Sequence, residues 1–377
     1  DGSTVTLYAQ WRQNTYTIRY DSNKPSIASA SITGSTANSS HKYDESKTLT
    51  KNGYQLTGWT FIGWNTKVNG SGTTYSDGQS VKNLSSTNGS TVVLYAQWRQ
   101  NTYTIRYDSN KPSIASSSIT GSTASSSHKY DESKTLTKNG YQLTGWTFTG
   151  WNTKANGSGT TYSDGQSVKN LTSTNGSTVT LYAQWKENTY KVHFNPNGGK
   201  GNMNDITLTY DHETILPKTT FTRDEYTFIG WSLNLNGSVN YPNEGKVKNL
   251  TSTNGATVTL YAVWKELPKS HATSIAILKE DGLKLIEKNS LEQFIKNEIN
   301  LYVDTNSDNI TLQSYSITNL DEIKKQINNT KNRTEIELKF EITYSTGDKS
   351  YKTSEPCTIT IINTGLGDSS TRYKRYI

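Results

Sequence analysis

The string Leu-Tyr-Ala-Gln-Trp ends at Trp11, Trp98 and Trp185, and Leu-Tyr-Ala-Val-Trp ends at Trp264, giving spacings of 87, 87 and 79 residues. Such a period means that each copy buries its own apolar residues or shares them only with a neighbour. Residues 14–100 and 101–187 differ at eight positions, among them Ala30/Ser117, Ile62/Thr149, Val68/Ala155 and Val93/Thr180, and residues 188–266 are a diverged third copy. Residues 1–13 match the end of a copy, since Asp1 to Val5 parallels Asn88 to Val92. We therefore expect the chain to start inside a preceding repeat and to be a fragment of a longer array.

Period-two alternation locates the strands. Tyr16, Ile18 and Tyr20 point one way, and the third copy keeps them as Tyr190, Val192 and Phe194. The closing strand sets Val92, Leu94, Ala96 and Trp98 against Thr91, Val93, Tyr95 and Gln97. Val93 becomes Thr180 and Thr259, so the second face is the wet one. In the middle strand, residues 59–64, simple alternation puts Trp64 on one face with Ile62. Asn69-Gly70 and Asn88-Gly89 mark turns, and residues 47–56 leave room for a short helix or an irregular crossover. Seven of the eight residues missing from the third copy fall opposite 24–40, which reads as an extended hairpin or loop.

The ordered motifs, a YTIRYDSN-type first strand, a GWTFIGW middle strand and a TVVLYAQW closing strand, resemble the Listeria–Bacteroides repeat, also called the internalin B-repeat. Copy three is nearest the family pattern, with Phe194-Asn195-Pro196-Asn197-Gly198-Gly199, then Tyr226 to Trp231, then Leu260 to Trp264. Copies one and two replace the Asn-Pro-Asn-Gly-Gly turn by Asp21-Ser22-Asn23-Lys24-Pro25. The resemblance covers residues 1–266. It implies a small β-grasp-like fold, tandem display on a bacterial surface protein, and no known catalysis.

Residues 267–377 differ in composition, being richer in Ile, Lys and Glu. Leu267-Pro268-Lys269-Ser270 reads as a linker. Thr334 to Ile342 alternates without a fault and predicts one half-buried strand; Thr358 to Ile362 predicts another. Ser290-Leu291-Glu292-Gln293 is a capping-box pattern, and Asn319 stands where it would cap a helix over 320–327. The overall expectation is a β-rich α+β chain. The tandem repeats, 14–100, 101–187 and 188–266, are followed by a separate β-rich domain, 267–377, with one or two short helices and a tail or linker over 365–377.

Charge and chemistry then bound the function. The hydrophobic fraction is 31%, but aromatics reach 11% and charged residues only 19%, which suits thin β-domains with polar faces rather than a charged coil. The net charge of +7 is held as +4 in 14–100 and +3 in 101–187, with the rest balanced. This is a mild basic bias, far from a nucleic-acid-binding stripe. No apolar run is long enough to span a membrane. The single cysteine, Cys357, excludes an intrachain disulfide and a cysteine zinc site, and reads as a small buried hydrophobe. No catalytic, cofactor or metal motif is present, so no catalytic residue, cofactor or metal ligand is expected. His193 takes the outward position of Arg19, His41 takes the slot of Leu208, and Asp44, Glu45 and Asp77 read as isolated turn residues. The leading expectation is a non-enzymatic, extracellular stalk of a bacterial cell-surface protein, its bending limited by connections such as Arg99-Gln100-Asn101. The alternative is an adhesive module contacting a host glycan or surface protein through many weak sites. Its candidate residues are Tyr95 and Tyr182 with the outward Arg19 and Arg106; packing between neighbouring repeats is the competing use of the same side chains.

Overall fold

Thr15–Asp21 and Ser90–Gln100 bury the same face because they run side by side and parallel at the centre of one sheet. The structure, a computed structural model that describes residues 2–304 and 310–364, pairs Ser39–Lys42 antiparallel with the first strand. Trp59–Asn65 lies antiparallel to the second, and the short Thr74–Tyr75 lies beyond it. The covered face buries Tyr16, Ile18, Tyr20, Trp64, Leu94 and Ala96. Copy two repeats this five-stranded sheet, and copy three keeps four of its strands around Tyr190, Val192, Phe194 and Trp231. Residues 47–56 form an irregular crossover rather than a helix. Lys47–Thr48 pairs with Ser80–Val81, and Tyr54–Gln55 pairs with Thr33–Gly34 in the 24–40 segment. Residues 2–13 form no strand, and Val5, Leu7 and Trp11 are 79, 91 and 93% exposed.

Alternation fails in the middle strand. The register against the closing strand shifts between Phe61 and Gly63, and Gly63 sits at φ +139. A side chain there would meet the Tyr75 carbonyl oxygen at 2.8 Å. The bulge turns Phe61 and Trp64 both inward: Trp64 is fully buried, with Phe61 edge-on at 5.0 Å and Tyr20 at 4.8 Å, while Ile62 is 55% exposed. The shared face of Ile62 and Trp64 expected from period two is thereby corrected, and the bulge recurs in both later copies.

His41 is buried, stacked on Tyr16 at 5.5 Å, with Nε2 2.9 Å from the Ser39 hydroxyl and Nδ1 without a partner among the described residues. His128 repeats this arrangement. Burial first, then the Lys47 charge, pushes the His41 imidazole below its ordinary 6.5, with Glu45 opposing; burial and Lys134 do the same for His128. The unfolded chain takes up these protons near pH 6.5, whereas the folded chain resists until lower pH. Stability is therefore full above 6.5 and falls as the pH drops below it. Melting at pH 5 should lie a few degrees below that at pH 7.5. Changing both histidines to Leu, the residue buried at 208 in copy three, should remove the contribution that sets in below pH 6.5.

Among its described residues, the last domain packs three helices with two three-stranded sheets and the two-stranded pair Ser270–His271 and Tyr302–Val303. Thr358–Ile362 is parallel to Ile275–Leu278 and antiparallel to Arg333–Glu337. Phe340–Tyr344 lies between Leu312–Ile317 and Lys349–Ser350. The single strand expected over 334–342 is therefore two strands in two sheets. The chain changes sheet at Leu338 and Lys339, where the Leu338 N–H donates to Cys357 O (2.7 Å) and Lys339 O accepts from Thr318 N (2.8 Å). The helices are α1 (Lys279–Glu287), α2 (Leu291–Glu298) and α3 (Leu320–Asn329). The second and third follow Ser290 and Asn319 as expected, though neither side chain makes a cap bond. The first was not among the helices expected. Gly282 serves close packing: a Cβ there would stand 3.0 Å from Ile327 of α3. Cys357 is buried and its thiol is pushed up by burial to about 11. The 365–377 tail lies outside the described residues.

Contacts divide the chain into two compact units. One comprises the described residues through Asn188 together with Thr209–Asp211 and Ser252–Asn254; the other comprises the remainder.

Candidate functional site at the junction between repeats

The 24–40 segment, seven residues shorter in copy three, reaches the next copy. The Ser29 backbone N–H donates to Asp131 Oδ2 at 3.1 Å, the Ser29 hydroxyl donates to Oδ1, and the Trp59 indole N–H donates to Oδ2 at 3.0 Å. From its own copy, Asn170 donates to Asp131 Oδ1 at 3.0 Å and accepts from the Asp131 N–H. Burial alone would raise the Asp131 carboxyl; the bonds from Ser29, Asn170 and Trp59 outweigh it and hold the group at about 2. Asp131 is thus a charged acceptor shared by three donors of the preceding copy and one of its own.

Around this carboxylate the two copies interlock. Gly58 sits at φ +77 with the Tyr130 ring against it, so close that a Cβ would lie 1.9 Å from Tyr130 Cδ1. The linker residue Asn101, 8% exposed, bonds to both sides. Its N–H donates to Gly58 O (2.9 Å), its Oδ1 accepts from the Thr60 hydroxyl (2.5 Å), its Nδ2 donates to Ser173 O (2.8 Å), and its carbonyl accepts from Tyr130 N (2.9 Å). Gln100 Nε2 donates to Tyr130 O.

The same set recurs within the first unit at Asp211, which accepts from Ser116 N (3.1 Å), the Ser116 hydroxyl and Trp146 Nε1 (2.9 Å). Gly145 at φ +78 stands against the Tyr210 ring, and Asn188 bonds Gly145 O, Thr147 and Ser252 O. At the far end of copy three the donors change together. The Ser29 segment is missing, Glu225 (φ +66) stands for Gly58, and Tyr226 stands for Trp59. The Glu225 carbonyl accepts from Leu267 N (2.7 Å) and its carboxylate pairs with Lys352 at 2.7 Å.

The residues singled out from the sequence lie elsewhere. Arg19, Val93 and Tyr95 do share the outer face, with Asp21 directly opposite Tyr95 across the parallel strands. Arg19 pairs with Asp21 at 3.4 Å and Arg106 with Asp108 at 3.8 Å, and Tyr95 and Tyr182 are half-buried. None of them forms the junction. Asp44, read as an isolated turn residue, is the copy-one equivalent of the two shared carboxylates. The signal that would have found the junction was the joint loss, in copy three, of seven residues of the 24–40 segment, Gly58 and Trp59. Among the described residues there is no group of three or more His, Cys, Asp or Glu arranged to hold a metal, and no helix long and apolar enough to cross a membrane.

These features define a tandem β-repeat protein in which Asp131 and Asp211 each accept from donors of the copy before. The profile of the Listeria-Bacteroides repeat domain matches residues 16–97, 103–184 and 190–263, and the chain belongs to that family. Two relatives come from Evansella cellulosilytica. One, named "Putative Gly-rich membrane protein", is 35% identical over 46% of this chain and 19% of its own length. The other, named "Putative membrane protein", is 27% identical over 74% of this chain and 38% of its own. The chain thus spans well under half of either relative. A solved chain described as "The Bacillus anthracis TIE protein" aligns over 67% of this chain and 51% of that one at 11% identity and a TM-score of 0.25, a likeness that carries no argument.

Proposed function

We propose that this region is a non-enzymatic stalk, displayed outside the cell on a bacterial surface protein, that holds other domains away through repeats locked to one another. The observation that carries this reading is the Asp131 clamp with its second instance at Asp211. A linker alone lets neighbouring domains reorient freely. Here the linker residue Asn101 and a carboxylate shared across the junction remove that freedom. The relatives named as membrane proteins support placement at the cell surface. Four separate apolar cores, one per repeat and one in the last domain, support the division at 14–100, 101–187, 188–266 and 267–377. The mixed sheets with a central parallel pair support a β-grasp-like unit whose crossover is irregular. An adhesive role would rest on Tyr95 with Arg19 and Tyr182 with Arg106. Those arginines already face aspartates, so the weight falls on the clamp.

Spin labels on cysteines placed at the exposed Ser71 and Ser158 test this, since the buried Cys357 thiol stays unlabelled. The distance distribution between copies one and two should be narrow, and Asp131→Ala should broaden it severalfold. A distribution already broad in the unsubstituted chain, or unchanged by the substitution, would overturn the stalk mechanism.

A further inference from the structure

Copy one carries the receiving half of the same junction. Asp44 sits at φ +58, against +62 for Asp131 and +65 for Asp211. Asn83 holds it as Asn170 holds Asp131: the Asp44 N–H donates to Asn83 Oδ1 at 2.6 Å, and Asn83 Nδ2 donates to Asp44 Oδ1 at 2.8 Å. Asn14 repeats Asn101, with its Nδ2 on Ser86 O at 2.9 Å and its carbonyl accepting from Tyr43 N at 2.8 Å. Gln13 Nε2 donates to Tyr43 O as Gln100 does to Tyr130 O. The face is therefore built in the geometry it has at the other two junctions. What differs is the donor side. The Asp44 side chain is 65% exposed, with the Lys82 ammonium 3.8 Å away, and no serine or indole N–H reaches it among the described residues.

We infer that the Asn14–Tyr43–Asp44–Asn83 face is a preformed docking socket for a further B-repeat, and that it accepts only a repeat with the exit set seen in copies one and two. That set is a serine on the 24–40 segment, a glycine at the 58 position and a tryptophan at the 59 position. This rests on the clamp reading above and extends it to a rule of order along the array. A repeat with the copy-one exit can be followed by another repeat. A repeat with the copy-three exit cannot, because it offers no serine segment, replaces the indole donor with Tyr226, and puts the Glu225 side chain where the ring of the 43, 130 and 210 positions must lie. Bringing the Glu225 carboxylate up to Asp44 also sets two negative charges together. In this chain Glu225 instead pairs with Lys352 of the last domain.

The test uses the full chain lengthened by one repeat between Gln13 and Asn14. In one version the added repeat is a second copy of residues 14–100; in the other it is residues 188–266. Spin labels report the distance between the added repeat and the original copy one. The copy-one insert should give a narrow distribution, which Asp44→Ala in the original copy broadens severalfold, and the copy-three insert should give a broad one. Two broad distributions overturn docking at the Asp44 face; two narrow ones overturn the exit rule. A narrow distribution indifferent to Asp44→Ala overturns the role of that carboxylate. Asp131→Ala in the same chains keeps the inference separate from its foundation. If it leaves the distance between the original copies one and two unchanged, the clamp reading itself has failed; if it broadens that distance, the outcome at Asp44 judges the inference alone.

Discussion

Gly58→Ala should weaken the association of the first two repeats by about 2–5 kcal/mol, through two separable effects. The backbone at this position is left-handed, which costs a non-glycine residue about 1–2 kcal/mol. Copy three shows that this part is bearable, since Glu225 adopts φ +66 at the same place. The larger effect is steric. An alanine Cβ would lie 1.9 Å from Cδ1 and 2.2 Å from Cγ of Tyr130, the root of the ring rather than a flexible tip, so the ring must leave the interface. Overpacking of this kind typically costs about 1–3 kcal/mol. A double-mutant cycle by urea unfolding separates the two. With Tyr130→Ala in the background, Gly58→Ala should cost only the backbone share, about 1–2 kcal/mol. Equal costs in both backgrounds would show that the ring is not the reason for the glycine. Gly145, whose Cβ would lie 2.0 Å from Tyr210 Cδ1, offers the same experiment again.

What was legible in the sequence followed from local periodicity. Tyr16, Ile18 and Tyr20 and their equivalents mark the opening strand because burial of one face of a strand leaves a period of two. The same pattern in Leu94 and Ala96 places the closing strand correctly. The middle strand misled because one extra residue at the Phe61–Gly63 bulge moves Trp64 to the other face, and a bulge has no periodic signature beyond its glycine. The 334–342 run alternated faultlessly across a change of sheet, since alternation records which side chains are buried and not which sheet buries them. The junction was the least legible part. Asp131, Ser29 and Trp59 lie 72 or more positions from their partners and are ordinary turn and loop residue types, so no local rule separates them from solvated ones. Only the contrast between copies that precede another repeat and the copy that precedes a different domain carries that information.

Trp64→Ala should destabilise copy one by about 3–5 kcal/mol, the range for removing a large aromatic from a core, and should leave copy three nearly untouched. Trp64 is fully buried, with Tyr20, Tyr54 and Phe61 around it, so its removal leaves a cavity that those rings can close only by abandoning their own contacts. Part of what it contributes is offset within the native structure. Among the described residues its indole N–H has no hydrogen-bond partner, nor do those of Trp151 and Trp231, and an unpaired buried donor costs about 1–3 kcal/mol. Trp64→Phe removes that unpaired donor along with part of the ring, so it should cost much less than the alanine change. Calorimetry distinguishes the architectures. If each repeat is a separate core with nearest-neighbour coupling, Trp64→Ala should split off a transition on the order of 15 °C below the main one, with the size of a single repeat. A single transition displaced as a whole would mean that the clamps at Asp131 and Asp211 make the first unit cooperative. Its repeats would then unfold together, as one body rather than one by one.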